Sequence, residues 1–143
     1  MKYALLLLLA ISAYAEEKIS LVEVLFMTAS HAIITNHTSL TYMAFAAGKY
    51  EKSEELALEC ASNVESGLSN NLNIFQLYCK ENGINESDKV PGKIIRGYEL
   101  TIDQAKALRT LLKEKTEANN AKLIQSWKST SEFIAVELHG KKR

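Results

Sequence analysis

The chain has 143 residues, in which 17 Lys and Arg balance 17 Asp and Glu. A neutral chain lacks the basic excess that holds phosphate backbones, so no nucleic acid partner is expected. One proline, six glycines and 47% hydrophobic residues exclude collagen-like and disordered classes and point to an all-α fold.

Met1-Lys2-Tyr3 precedes an apolar stretch from Ala4 to Ile11, and Ser12-Ala13-Tyr14-Ala15 then leads into Glu16 and Glu17. A positive charge, an apolar core of about ten residues and small residues around a bulky one are the three parts of a secretory signal peptide. Cleavage is expected after Ala15, leaving residues 16–143 as one helical bundle domain of four or five helices. The apolar run falls short of the roughly twenty residues that cross a bilayer. No transmembrane anchor is therefore expected after cleavage, and the destination is periplasmic or secreted.

Lys18 to Ile34 is apolar on most of its circumference, which predicts a first helix in the middle of the bundle. Glu23, Met27 and His31 share one face of it. A Met followed one turn later by His is a soft-metal pair for copper or haem, with His37, Met43, Trp127 or His139 as further candidates. Core packing is the commoner use of both residue types, and no cofactor is expected. Asn36-His37-Thr38-Ser39 reads as a break, with Thr38 or Ser39 capping a short helix from Leu40 to Ala47. Asn36-His37-Thr38 and Asn85-Glu86-Ser87 also match the N-glycosylation pattern, which matters only in a eukaryotic host.

Gly48-Lys49-Tyr50 predicts a turn, and Glu51, Glu54 and Glu55 open a third helix at its dipole-favoured end. Leu40, Ala44, Gly48, Tyr50, Ser53, Ala57 and Cys60 together resemble one unit of a tetratricopeptide repeat. No second copy follows at about 34 residues, so the segment reads as a generic helical hairpin. Beyond it two signals conflict. Ala57, Ala61, Val64, Leu68, Leu72, Phe75 and Cys79 recur at steps of three and four, as in one straight helix. Such a helix would hold Cys60 and Cys79 about 28 Å apart. Gly67-Leu68-Ser69-Asn70-Asn71-Leu72-Asn73 is instead rich in turn formers. A reversal at its centre would bring Cys60 and Cys79 level and allow a disulfide, the outcome an oxidising compartment favours.

Gly83 stands where a left-handed helix cap is expected, with Ile84 behind it. Asn85 to Tyr98 holds the single proline, Pro91, and reads as a long basic loop. Its Lys89, Lys93, Arg96 and Tyr98 are the candidate partner-binding residues. Thr101-Ile102-Asp103-Gln104 has the form of a capping box, flanked by Leu100 and Ala105 as a hydrophobic staple. The helix it would open is expected to bend near Asn119-Asn120, resume through Trp127 and Phe133, and end at His139-Gly140.

Residues 16–88 carry four Lys against eleven Asp and Glu, whereas residues 89–143 carry nine Lys and three Arg against six acidic residues. Acidic helices packed beside basic ones would screen each other; a basic outer face is the alternative. No nucleotide-binding glycine loop, zinc-protease motif or paired-cysteine metal site is present, and no enzyme is expected. Cys79-Lys80-Glu81-Asn82-Gly83-Ile84, preceded by another helical cysteine, resembles small periplasmic immunity proteins that neutralise secreted amidase toxins. Their proline beside the cysteine and their C-terminal cysteine are absent from this chain. The resemblance implies a binding surface in Asn85 to Tyr98. The function expected is thus non-catalytic binding of another macromolecule, a protein in the periplasm or outside the cell; the alternative is a periplasmic copper or haem carrier.

Overall fold

A computed structural model describes residues 21–140. The expected leader 1–15 with its cleavage point, the helix start at Lys18 and the terminal Lys141-Lys142-Arg143 lie outside the described residues. Among the described residues the chain is all-α, as expected. Four helices follow in order: α1 Leu21–Lys49, α2 Glu54–Glu81, α3 Lys89–Lys113 and α4 Glu117–Phe133. A 3-10 turn, Glu51–Ser53, links the first two, and a π-helical turn, Ile134–Leu138, follows α4.

The helices run alternately up and down. Ile33 faces Gly97 and His37 faces Gln104, so α1 and α3 lie parallel and side by side. Arg109 reaches back to Glu65 and Thr130 to Leu100, so α2 and α4 are antiparallel neighbours of α3. Ten of the 25 residues of α3 are buried, against five of the 29 in α1. The central helix is therefore α3, not the first helix.

The break expected at Asn36-His37-Thr38-Ser39 does not occur, because α1 runs through it. Asn36, Thr38 and Thr41 each donate to the carbonyl four residues earlier, at 2.8, 2.8 and 2.7 Å. Their side chains satisfy themselves within the helix instead of capping a new one. Ile33 and Leu40, 1% and 0% exposed, continue one buried stripe across the segment.

In α2 the apolar period prevails over the turn-forming composition. Ala57, Ala61, Val64, Leu68, Phe75 and Cys79 are all buried along one side. Burying this stripe outweighs the roughly 1 kcal/mol that a helical glycine such as Gly67 costs. The expected hairpin and the Cys60 to Cys79 disulfide are thereby overturned: both cysteines are free, nineteen residues apart on one helix. Burial pushes both thiols above their ordinary range, and for Cys79 the Glu86 carboxylate adds to the effect. Intact mass after alkylation in denaturant without reductant is expected to show two modified thiols. In the native state modification should be slow at neutral pH and quicken as pH rises, since the thiolate is the nucleophile. A single species resisting alkylation would contradict the continuous helix.

The helix α2 ends as the sequence indicates. Gly83 has φ 64°, the Ile84 N–H donates to Cys79 O at 2.8 Å, and the Gly83 N–H donates to Lys80 O at 3.4 Å. These are the two bonds of a Schellman cap. The loop that follows is much shorter than expected, because α3 already begins at Lys89 behind the N-cap residue Asp88. Pro91 sits in the first turn of α3, where its missing N–H would have no helical acceptor. Thr101-Ile102-Asp103-Gln104 is consequently helix interior rather than a helix start. Thr101 Oγ1 donates to Gly97 O at 2.9 Å, and both Thr101 and Gln104 are buried.

The break between α3 and α4 falls at Glu114 to Thr116, a few residues before Asn119-Asn120. Thr116 caps α4 by accepting from the Asn119 N–H at 3.2 Å, while the Asn119 side chain donates to Glu114 O at 2.9 Å. Asn119 thus closes the corner it was expected to form. Arg109–Glu65, at 3.0 Å, and Lys115–Glu54 join the basic α3 side to acidic α2, in line with mutual screening of the two halves.

Candidate functional site

An apolar cleft lies where α1 and α2 flank α3. Its volume is about 440 Å³. Its floor is made of buried residues: Ala29 from α1, Phe75 from α2, and Ile94 and Tyr98 from α3. Its rim is exposed, with Leu21 56% and Ile74 67% accessible. Such an arrangement follows from the sequence of the walls. Leu25 and Ala32 on α1 and Tyr78 on α2 line the sides with hydrocarbon or ring surface. The only polar side chains lining it are Thr28, Asn71 and the hydroxyls of Tyr78 and Tyr98. Burial in this floor raises the Tyr98 phenol above its ordinary range, so it remains a neutral hydrogen-bonding group.

Long stretches of the two helices that wall the cleft carry no formal charge. Val24 to Gly48 contains no Asp, Glu, Lys or Arg, and neither does Gly67 to Cys79. A solvated helix face usually carries charge, and charge depletion with exposed aliphatic and Met side chains marks interface centres. The uncharged runs are the signal in the sequence that could have indicated this surface, which the reading of Asn85 to Tyr98 as the binding loop passed over.

The candidate loop residues are distributed differently. All four belong to α3. Tyr98 reaches the cleft floor, whereas Lys93 pairs with Glu137 at 2.9 Å and Arg96 with Glu99 at 3.6 Å on other sides of the helix. Lys89 is exposed in the first turn. Met27 and His31 both face solvent on α1, and among the described residues no three His, Cys, Asp or Glu converge on a point that could hold a metal ion.

His37 is instead part of a polar node joining three helices. Gln104 Oε1 lies 2.7 Å from Nδ1, and Ser131 Oγ lies 3.0 Å from Nε2. The amide oxygen can only accept, so Nδ1 donates to it, and the Ser131 hydroxyl, which can donate or accept, pairs with Nε2. Trp127 stacks on the imidazole with centroids 6.4 Å apart, and its Nε1 donates to Thr41 Oγ1 at 3.1 Å. A Ser-His pair of this order activates a nucleophile only beside donors that hold an oxyanion and a carboxylate that holds the imidazolium. Ser131 sits inside α4, where neighbouring N–H groups serve the helix, and the third member is a neutral amide. The node fixes the positions of α1, α3 and α4.

Comparison of the chain with protein-family models, with curated proteins and with solved structures finds no match.

Proposed function

We propose that this protein is a non-catalytic binding module that works outside the cytoplasm and receives an apolar segment of a protein partner in the α1–α2–α3 cleft. The observation that carries the reading is the cleft itself, a concave apolar floor with an exposed apolar rim, walled by the uncharged stretches Val24 to Gly48 and Gly67 to Cys79. Helical grooves of this kind take the apolar face of a partner helix, one or two large side chains filling the floor. Export is supported by the composition of residues 1–15. An inhibitor-type role, as the Cys79 to Ile84 resemblance implies, is one form that such binding takes.

A photo-crosslinking residue placed at Ile74, on the rim, is expected to give a discrete protein adduct in cells that make the protein. The same residue at Lys122, exposed on α4, should give none. Adding Leu25→Glu, which sets a charge in the cleft wall, should reduce the Ile74 adduct about tenfold or more, the scale of a lost interface anchor. Equal labelling from positions 74 and 122 would remove the reading.

A further inference from the structure

Asn82 is the single asparagine of the chain that is followed by glycine. A residue without a Cβ leaves its backbone nitrogen open to the side-chain amide carbon of the residue before it, and it also gives the backbone there the freedom to turn. Asn82 and Gly83 are both exposed, and nothing lies within 4 Å of the place that a Gly83 Cβ would take. We infer that Asn82 is a site of spontaneous deamidation whose rate is set by opening of the α2 cap. The inference goes beyond the binding reading and stands without it.

The chemistry needs only solvent. The Gly83 nitrogen gives its proton to hydroxide and attacks Cγ of Asn82. The N–Cγ bond forms, the Cγ–Nδ2 bond breaks, and Nδ2 takes a proton from water and leaves as ammonia. Water then opens the cyclic imide at one carbonyl or the other, which leaves aspartate or isoaspartate at position 82. Nothing is oxidised or reduced.

The folded cap opposes each part of this step. Asn82 has ψ 7°, which turns the Gly83 nitrogen away from Cγ. The leaving group is held, since Asn82 Nδ2 donates to Tyr78 O at 2.9 Å. So is the nucleophile, whose N–H donates to Lys80 O at 3.4 Å, and the Ile84 N–H closes the turn on Cys79 O at 2.8 Å. Ring closure therefore requires the cap to open first. Helix ends open at far lower free energy than a core does, so the fold slows the reaction without abolishing it.

Asn85 is the internal comparison, exposed in the same loop but followed by Glu86, with its Oδ1 accepting the Ser87 N–H at 3.1 Å. Conversion of Asn82 has a structural consequence. The product lacks the donor to Tyr78 O and sets a carboxylate next to Glu81 at the end of α2, where the helix dipole is itself negative. Isoaspartate also lengthens the main chain by a methylene. Both changes weaken the turn that carries Tyr78, a wall residue of the cleft. Ageing thus acts on one wall of the cleft, and in one direction.

The purified full chain, incubated in mildly alkaline buffer both folded and in denaturant, tests this by peptide mass mapping with fragmentation and by isoaspartate methyltransferase labelling. The mass gain of an amide-to-acid change is expected at Asn82 and not at Asn85. Conversion should be about tenfold or more slower in the folded chain than in denaturant, the scale of a local opening equilibrium. In both states it should quicken as pH rises, because the attacking nitrogen must lose its proton. Asn82→Gln, whose extra methylene disfavours the ring, should stay unmodified. Ile84→Ala removes the apolar contact behind the cap; with an unchanged circular dichroism spectrum it should speed conversion of the folded chain several-fold and leave the rate in denaturant as it was. No conversion in denaturant, faster conversion at Asn85, or equal rates in the folded and denatured chain overturns the inference.

Discussion

Gly97→Val is expected to destabilise the bundle by about 1–3 kcal/mol or more, the range for forcing volume into a packed interior. A side chain at this position would overlap Ile33 and would lie 2.9 Å from Phe133 at its first carbon. Ile33 is 1% exposed and Phe133 9%, so neither has open space to move into. Gly97 is met by Ile33 of α1 and by Phe133 of α4, so a Cβ there pushes on two helices at once. The matched control is Gly67→Ala in α2, where nothing lies within 4 Å of the added carbon. That substitution should stabilise by about 0.5–1 kcal/mol through helix propensity alone. Denaturant unfolding with an unchanged m-value reads both. A Gly97→Val variant as stable as the wild type would mean that α1 and α3 do not pack as described.

Leu40→Ala should be costlier than the chemically identical Leu108→Ala. Large-to-small core substitutions of this type cost about 2–5 kcal/mol, and the value within that range depends on how far the surroundings collapse. Leu40 is 0% exposed in the continuous part of α1, while Leu108, 1% exposed, borders a surface groove shared with Ala44, Leu112 and Leu123. Side chains around that groove can settle into the vacated space, so Leu108→Ala belongs near the lower bound and Leu40→Ala nearer the upper. The reverse order in thermal or denaturant midpoints would show that the groove is rigid and the α1 side is soft.

The helical class and the cap at Gly83 were legible in the sequence because both rest on local rules, apolar period and glycine geometry. The helix boundaries were not. Asn36, Thr38, Thr101 and Gln104 are residue types that cap helices, and in each case the side chain instead bonds within the helix or, for Gln104, to His37 on another helix. Local spacing cannot tell these uses apart, since the choice depends on what packs alongside. Pro91 misled for a similar reason: it reads as loop unless Asp88 before it is recognised as a cap. For the cysteines the deciding term was burial of the stripe from Ala57 to Cys79, which the sequence displayed but which competed with an equally visible turn composition. Of the candidate binding residues, only Tyr98 lies in the cleft, because a loop reading gave no reason to separate the faces of α3. The uncharged stretches of α1 and α2 were legible throughout, and their meaning depended on knowing that these two helices share a surface.

The polar node at His37 spans an unusual length of chain. Its partner Gln104 is 67 residues away and its partner Ser131 is 94 residues away. A nascent chain can form the α1–α2 pair early, yet His37 keeps two open hydrogen-bonding positions until nearly the whole polypeptide has been made. Contacts of such high separation are slow to close, because the loop entropy is lost before the contact is gained. Synthesis therefore runs ahead of completion of the fold. Under the proposed export, a polypeptide threaded through a channel in extended form would meet the same requirement, and among the described helices α4, which closes the node, would be the last to pass.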